Sequence, residues 1–223
     1  MNKQIIVIAP HPDDETLGCG GTILRHIAEG DIVHWLIITG MQVEQGFSKE
    51  QVQRRDAEIK KVALKYGFSS VHDLRFPAAR LESLSIGEII KTIGKVFAMV
   101  TPEVIYIPYR GDIHSDHRIT FDAVSACTKW FRYGSVKRVL AYETLSETDF
   151  GINPDDNGFR PNVFVDISKF LETKLEIMKI YSSEFGTFPF PRSEQAIRAL
   201  AAYRGAAAGC LAAEAFMLLK EIV

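Results

Sequence analysis

Two short stretches hold nearly all the residues of this sequence whose types and spacing suit chemistry. In Ala9-Pro10-His11-Pro12-Asp13-Asp14-Glu15, an imidazole and two adjacent carboxylates follow the apolar run Ile5-Ile6-Val7-Ile8 and precede Gly18-Cys19-Gly20-Gly21. In Tyr109-Arg110-Gly111-Asp112-Ile113-His114-Ser115-Asp116-His117-Arg118, two imidazoles stand three residues apart. His11 and His117 with one carboxylate of the Asp13-Asp14 pair make a three-ligand set that leaves a position open for water. That is the pattern of a catalytic rather than a structural zinc site. Zinc lowers the pKa of its water toward about 7, and the second carboxylate is then spare to act as a general base. His114, as a donor, can stabilise the oxyanion formed when a carbonyl is attacked. Asp116 can orient one of the imidazoles through its other ring nitrogen.

These residues need elements that bring them together. Short Ile- and Val-rich runs alternate with stretches of helical periodicity, which predicts βαβ units: an α/β fold with a mostly parallel sheet covered by helices on both faces, a Rossmann-like three-layer sandwich. Strands are predicted at 4–9, 32–39, 71–75, 104–108 and 138–142, with 162–166 as an edge addition. Helices are predicted from within 15–18 to near Gly30, from Lys49 to Tyr66 with Gly67 as the stop, and over 85–100, 117–132 and 168–182. The alanine-rich stretch from Ser193 to Ile222 reads as helical, with Gly205 and Gly209 as breaks or close contacts. In open α/β sheets ligands bind beyond the carboxyl ends of the strands, and both polar clusters follow predicted strands. His26, His34 and His72 lie inside or near predicted elements and read as structural or surface residues.

The chain has 223 residues, 47% of them hydrophobic, and no Pro/Ser run, charge block or repeat divides it, so one domain over 1–223 is expected. A formal charge of -2 offers no broad footprint for nucleic acid or an anionic membrane. Cys19, Cys127 and Cys210 are odd in number and far apart, which points to a reduced, cytoplasmic protein without disulfides or a thiolate metal site. No segment has the length of a membrane span, and the apolar run before Pro10 is too short for a signal-peptide core. Gly18-Cys19-Gly20-Gly21 lacks the third glycine of a dinucleotide fingerprint, with Ile23 in its place, and strand two ends at Thr39-Gly40 without an acidic residue for a ribose. These glycines are expected to let the first helix start close against the sheet.

The two clusters together resemble the PIG-L or LmbE-like family of zinc-dependent N-deacetylases, which remove acetyl groups from N-acetylglucosamine-type sugars and conjugates. The resemblance extends to Arg55-Asp56-Ala57-Glu58, Tyr181-Ser182-Ser183-Glu184, Arg204-Gly205 and Ala213-Glu214-Ala215-Phe216. It implies His11, Asp14 and His117 as ligands of Zn2+, or of Fe2+ or another divalent ion. It further implies Asp13 as base and then acid, and His114 as oxyanion stabiliser. Ser115 stands where many relatives carry proline. The implied substrate is a small N-acetylated amino sugar, free or conjugated. Arg55, Arg110, Arg192, Tyr203 and Arg204 are the candidates for holding it, Arg110 first among them because it adjoins the second cluster; Arg55 can instead pair with Glu58 on its own helix.

Two other functions fit parts of the pattern. Two histidines and a carboxylate also match the facial triad of non-haem Fe(II) oxygenases, and a non-enzymatic sugar-binding module can retain the same fold. A homo-oligomer is an option through the apolar C-terminal stretch and Phe188-Pro189-Phe190-Pro191.

Overall fold

The computed structural model describes residues 2–152 and 158–223. The apolar run before His11 becomes the central strand of a sheet. β1 (Gln4–Ala9) is buried from Ile5 to Ala9 between two parallel neighbours, β2 (Ile32–Gly40) and β4 (Val104–Pro108). β3 (Ser70–Pro77) extends the parallel sheet beyond β2, and β5 (Arg138–Tyr142) extends it beyond β4. The sheet closes with β6 (Val163–Asp166) and β7 (Ala213–Glu221) in the order β3-β2-β1-β4-β5-β7-β6, β7 lying antiparallel to both of its neighbours.

Among the described residues six α-helices cover this sheet: α1 (Asp14–Ala28), α2 (Lys49–Tyr66), α3 (Ile86–Val100), α4 (Ser115–Ala126), α5 (Leu171–Met178) and α6 (Glu194–Ala208). Alternation along β1 feeds two cores. Ile5, Val7 and Ala9 pack with Leu17 of α1, Val62 of α2, Leu175 of α5 and the large rings of Trp35, Tyr142 and Phe216. Ile6 and Ile8 pack on the opposite face with Ile93 of α3 and Val124 of α4. A strand buried on both faces has no polar side, which is why β1 and β4 read as continuous apolar runs. Helix α2 begins in a capping box, where Ser48 Oγ accepts from the Gln51 amide and Gln51 accepts from the Ser48 amide; it ends at Gly67 with φ 82°.

The glycines of α1 do what the sequence suggested. A Cβ on Gly18 would sit 2.2 Å from the Tyr142 ring, and one on Gly21 would sit 2.6 Å from Ile167. The helix thus lies directly on the side chains that rise from the sheet. Tyr142, pressed beneath it, donates its hydroxyl to the carbonyl of Ile8 at 2.8 Å.

The C-terminal expectation is corrected. The helix stops at Ala208, Gly209 turns at φ 72°, and residues 213–221 form β7 instead of more helix. Alanine, leucine, glutamate and lysine favour helix locally, but pairing with β5 and β6 buries Ala213 to Phe216, and tertiary pairing overrides propensity. Glu214 on this strand accepts the N–H groups of Gly21 and Thr22 in the middle of α1 and forms a buried ion pair with Lys174 at 2.6 Å. Two helices are also shorter than predicted: α4 ends at Ala126 and α5 at Met178. The other elements lie where expected to within a residue or two. His26 bridges Asp31 and Tyr106, and His34 bridges Ser70 and Gln4, both in structural roles. Among the described residues no helix is long and apolar enough to cross a membrane.

Candidate active site

β1 and β4 are neighbours whose connections leave toward opposite edges of the sheet, and the crevice at such a switch point is where α/β sheets bind ligands. β1 delivers His11 and the start of α1; β4 delivers the loop that ends at His114, the N-cap of α4. The two clusters therefore meet. They line a cleft of about 230 Å3 whose walls include His11, Asp13, Asp14, His114, Glu147 and Arg192.

At its floor, Asp14 Oδ2 lies 3.4 Å from His11 Nδ1 and 3.2 Å from His117 Nε2, and it accepts the His11 amide at 2.8 Å. Each imidazole rests its other nitrogen on a second carboxylate: His11 Nε2 on Asp116 at 2.9 Å, and His117 Nδ1 on Asp112 at 2.7 Å. Asp116 is held in turn by the amides of Ala79 and Leu81. Carboxylate–imidazole pairs of this kind orient metal ligands and raise their basicity.

The ligand atoms of His11, Asp14 and His117 all lie within 4.8 Å of one another. Among the described residues the buried His117 Nε2 has no hydrogen-bond partner, an orphan that a cation beside Asp14 would satisfy. Burial opposes charge on these imidazoles, yet hydrogen bonds to Asp116 and Asp14 raise His11 to about 9, and the Asp14 charge with the Asp112 hydrogen bond raises His117 well above its usual value. Asp14 is held well below the carboxylate range against its own burial, chiefly by His117. The donor set fits a divalent ion. The other nearby triplet, His11, His114 and Asp116, fits less well, because its facing atoms are already spent on hydrogen bonds to one another and to backbone amides.

Asp13 stands beside this set in a strained turn with φ 135°, a conformation that costs about 1–3 kcal/mol in a non-glycine residue. The preceding peptide is gripped at both ends. Arg55 Nη1 donates to the carbonyl of Pro12 at 2.7 Å, and the Asp13 N–H donates to Glu15 Oε2 at 3.0 Å. Glu15, fully buried, is fixed by the hydroxyls of Thr16 and Tyr181 at 2.6 and 2.7 Å. The Asp13 carboxylate pairs with Arg192 Nη1 at 2.9 Å. Burial, then the adjacent Asp14, push its pKa well above the carboxylate range while Arg192 pulls it down. His114 differs from the other two imidazoles. Its Nδ1 accepts the Asp116 amide at 3.1 Å, so the proton sits on Nε2. Burial, then His11, push its pKa to about 4, leaving a neutral ring with one N–H to donate.

The expected substrate-holding residues divide. Arg192 lines the cleft. Arg55 lines it too, but its guanidinium is taken up by Glu58, Glu184, Ser183 and Pro12, so both of its expected roles merge into one of support. Arg110 is not among the residues that line the cleft and pairs with Asp122 of α4 at 2.7 Å on the surface. Tyr203 and Arg204 also lie apart from it. Arg204 pairs with Glu143 and stacks near Phe159 and Tyr203 in a separate groove, and neither residue lines the cleft. Sequence reasoning gave no role to Asp112, Glu15, Glu147 or Glu184. The available signal for Asp112 was chemical: a ligand imidazole needs an acceptor for its second nitrogen. Ser115 is the first residue of α4, the helical position that accepts proline best.

A family model described as PIG-L: GlcNAc-PI de-N-acetylase matches residues 6–128. Diacetylchitobiose deacetylase of Thermococcus kodakarensis is 30% identical over 234 residues, covering 99% of this chain and 84% of that protein. A probable N-acetyl-alpha-D-glucosaminyl L-malate deacetylase 2 of Bacillus anthracis is 21% identical over 193 residues, covering 83% of each. The crystal structure of a conserved protein from Thermus thermophilus has a TM-score of 0.80 to this one at 27% identity, covering 99% of this chain and 96% of that one. With both polar clusters inside the matched region and the fold shared along nearly its whole length, the chain belongs to the PIG-L family.

Proposed function

We propose that this protein is a divalent-metal-dependent hydrolase that removes the N-acetyl group from an N-acetylglucosamine-type sugar or sugar conjugate. The observation that carries the reading is the orphaned Nε2 of buried His117 facing Asp14, with a spare carboxylate and a neutral N–H donor on the same cleft wall. Two relatives whose names describe deacetylases of N-acetylglucosamine compounds support it. His11, Asp14 and His117 would hold a divalent ion, which would supply Lewis acidity there and lower the pKa of a water toward neutral. Asp13 takes a proton from the attacking water and returns it to the leaving amine, one residue serving as base and then acid. Arg192 and the clamped Pro12–Asp13 peptide keep its carboxylate in place. His114 Nε2–H donates to the oxyanion as it forms, and its neutrality means that it gives a hydrogen bond without giving up its proton. Asp112 and Asp116 hold the two ligand rings. Three free thiols support a reducing, cytoplasmic setting.

Acetate release and metal content test the division of labour between the two aspartates. Asp13→Asn is expected to bind metal at full stoichiometry and lose about 10²–10⁴ in turnover, the range of general acid–base catalysis. Asp14→Ala is expected to lose the metal. The reverse pattern would exchange the two roles.

A further inference from the structure

The charged groups around the cleft are unevenly matched. Asp14 is the one carboxylate of the proposed ligand set, and Asp13 pairs with Arg192. Arg55 is taken by Glu58 and Glu184, and Arg192 Nη1 sits between Asp13 at 2.9 Å and Glu184 at 3.1 Å. Both arginines of the lining are thus already paired with protein carboxylates. Glu147 is not: it lines the cleft, half-buried, and its side chain has no hydrogen bond or ion pair among the described residues. Its backbone is pinned where it matters, since the Glu147 carbonyl accepts the amide of Ile113, next to His114, at 3.2 Å. Asp112 and Asp116, buried behind the ligand imidazoles, add more negative charge. Size also limits the ligand. A cleft of about 230 Å3 falls just below the roughly 300–1,000 Å3 that takes drug-sized ligands, a size that suits a monosaccharide unit at its floor.

Taking the deacetylase reading as its basis, we infer that the cleft selects uncharged N-acetyl amino sugars over phosphorylated, nucleotide-linked or carboxylate-bearing ones, with Glu147 the specificity-determining residue. Its unpaired carboxylate accepts hydrogen bonds from sugar hydroxyls and repels an anion placed on the same ring. At an effective dielectric near 20, a like charge about 8 Å away weakens binding about thirtyfold. Both arginines of the lining already face protein carboxylates, in contrast to sites built for carboxylate or phosphate, where a bidentate arginine faces the ligand.

The test compares the metal-loaded enzyme on N-acetylglucosamine, its methyl glycoside, N-acetylglucosamine 6-phosphate, N-acetylglucosaminyl malate and a uridine-diphosphate-linked N-acetylglucosamine. The uncharged pair is expected to exceed each anionic compound at least thirtyfold in kcat/KM. Glu147→Gln is expected to narrow that ratio at least fivefold, and raising the salt from 50 to 500 mM to narrow it in the wild type, because screening weakens a charge effect and leaves a shape effect alone. An anionic compound used as well as the uncharged pair would overturn the inference, as would a ratio unmoved by both salt and Glu147→Gln. The same panel is titrated calorimetrically into metal-loaded Asp13→Asn. Absence of acetate release from every compound would defeat the deacetylase reading, whereas the order of affinities decides the charge selection independently.

Discussion

Asp112→Ala is the most informative single change outside the ligand set. Asp112 and His117 have fully buried side chains, and Asp112 spends one oxygen on His117 Nδ1 at 2.7 Å and the other on the Thr148 hydroxyl at 2.6 Å. Thr148 Oγ1 accepts the amide of Thr144 at 2.8 Å, so one carboxylate ties a ligand ring to the cleft loop. Alanine leaves the buried His117 N–H and the Thr148 O–H without an acceptor. Losing an orienting carboxylate of this kind costs about 10–100-fold in metal affinity, and each orphaned buried group costs about 1–3 kcal/mol of stability. Asp112→Asn separates geometry from charge. Its oxygen can face His117 and its amide can face Thr148, whose hydroxyl accepts as readily as it donates. Only the charge assistance is lost, about 1 kcal/mol or roughly fivefold in affinity. Competition against a chromophoric chelator reads the affinity, and thermal melting reads the stability. If Asp112→Ala melts early but binds metal within twofold of wild type, then Asp112 is merely structural and His117 is not a ligand.

Two further outcomes follow from the geometry of α1. Glu15→Leu removes the acceptor of the strained Asp13 amide and is expected to lower kcat about tenfold with KM little changed. Glu15→Gln, which keeps an oxygen toward Asp13, is expected to recover most of the loss; a folded Leu variant with full kcat would show that the clamp is irrelevant to turnover. Gly18→Ala places a methyl 2.2 Å from the Tyr142 ring. Overpacking of about 1–3 kcal/mol is expected to lower Tm by about 2–12 °C at this chain length, and an unchanged Tm in a melting scan would mean that α1 does not lie on the sheet as described.

The parallel core and the meeting of the two clusters were legible because β1 and β4 are buried on both faces, so their strands announce themselves and the chemistry falls at their ends. What escaped reading depends on direction. Arg110 adjoins the second cluster in sequence, yet its side chain runs back along α4 to Asp122, because adjacency along a chain says little about which way a side chain leaves it. Tyr203 sits on α6 between Ala201 and Gly205, which are buried, and therefore faces out. Spacing alone left Asp13 and Asp14 equivalent; the structure separates them, because one begins a helix beneath two imidazoles and the other is twisted to φ 135° against Arg192. β7 was hidden by its own composition, since its residues favour helix until β5 and β6 are there to pair with.

That strand also bears on when the enzyme comes alive. A nascent chain that has delivered both metal-site stretches still has β5 with one open edge, and Lys174 still lacks its buried carboxylate. Only when residues 213–221 leave the ribosome can Glu214 reach back nearly two hundred positions to the amides of Gly21 and Thr22. Closure across such a separation is slow, and the helix it braces is the one that opens with Asp14. The helix that opens with Asp14 is thus braced by a strand nearly two hundred residues away, and a fragment ending before β7 is expected to release no acetate although His11, Asp14 and His117 are already present.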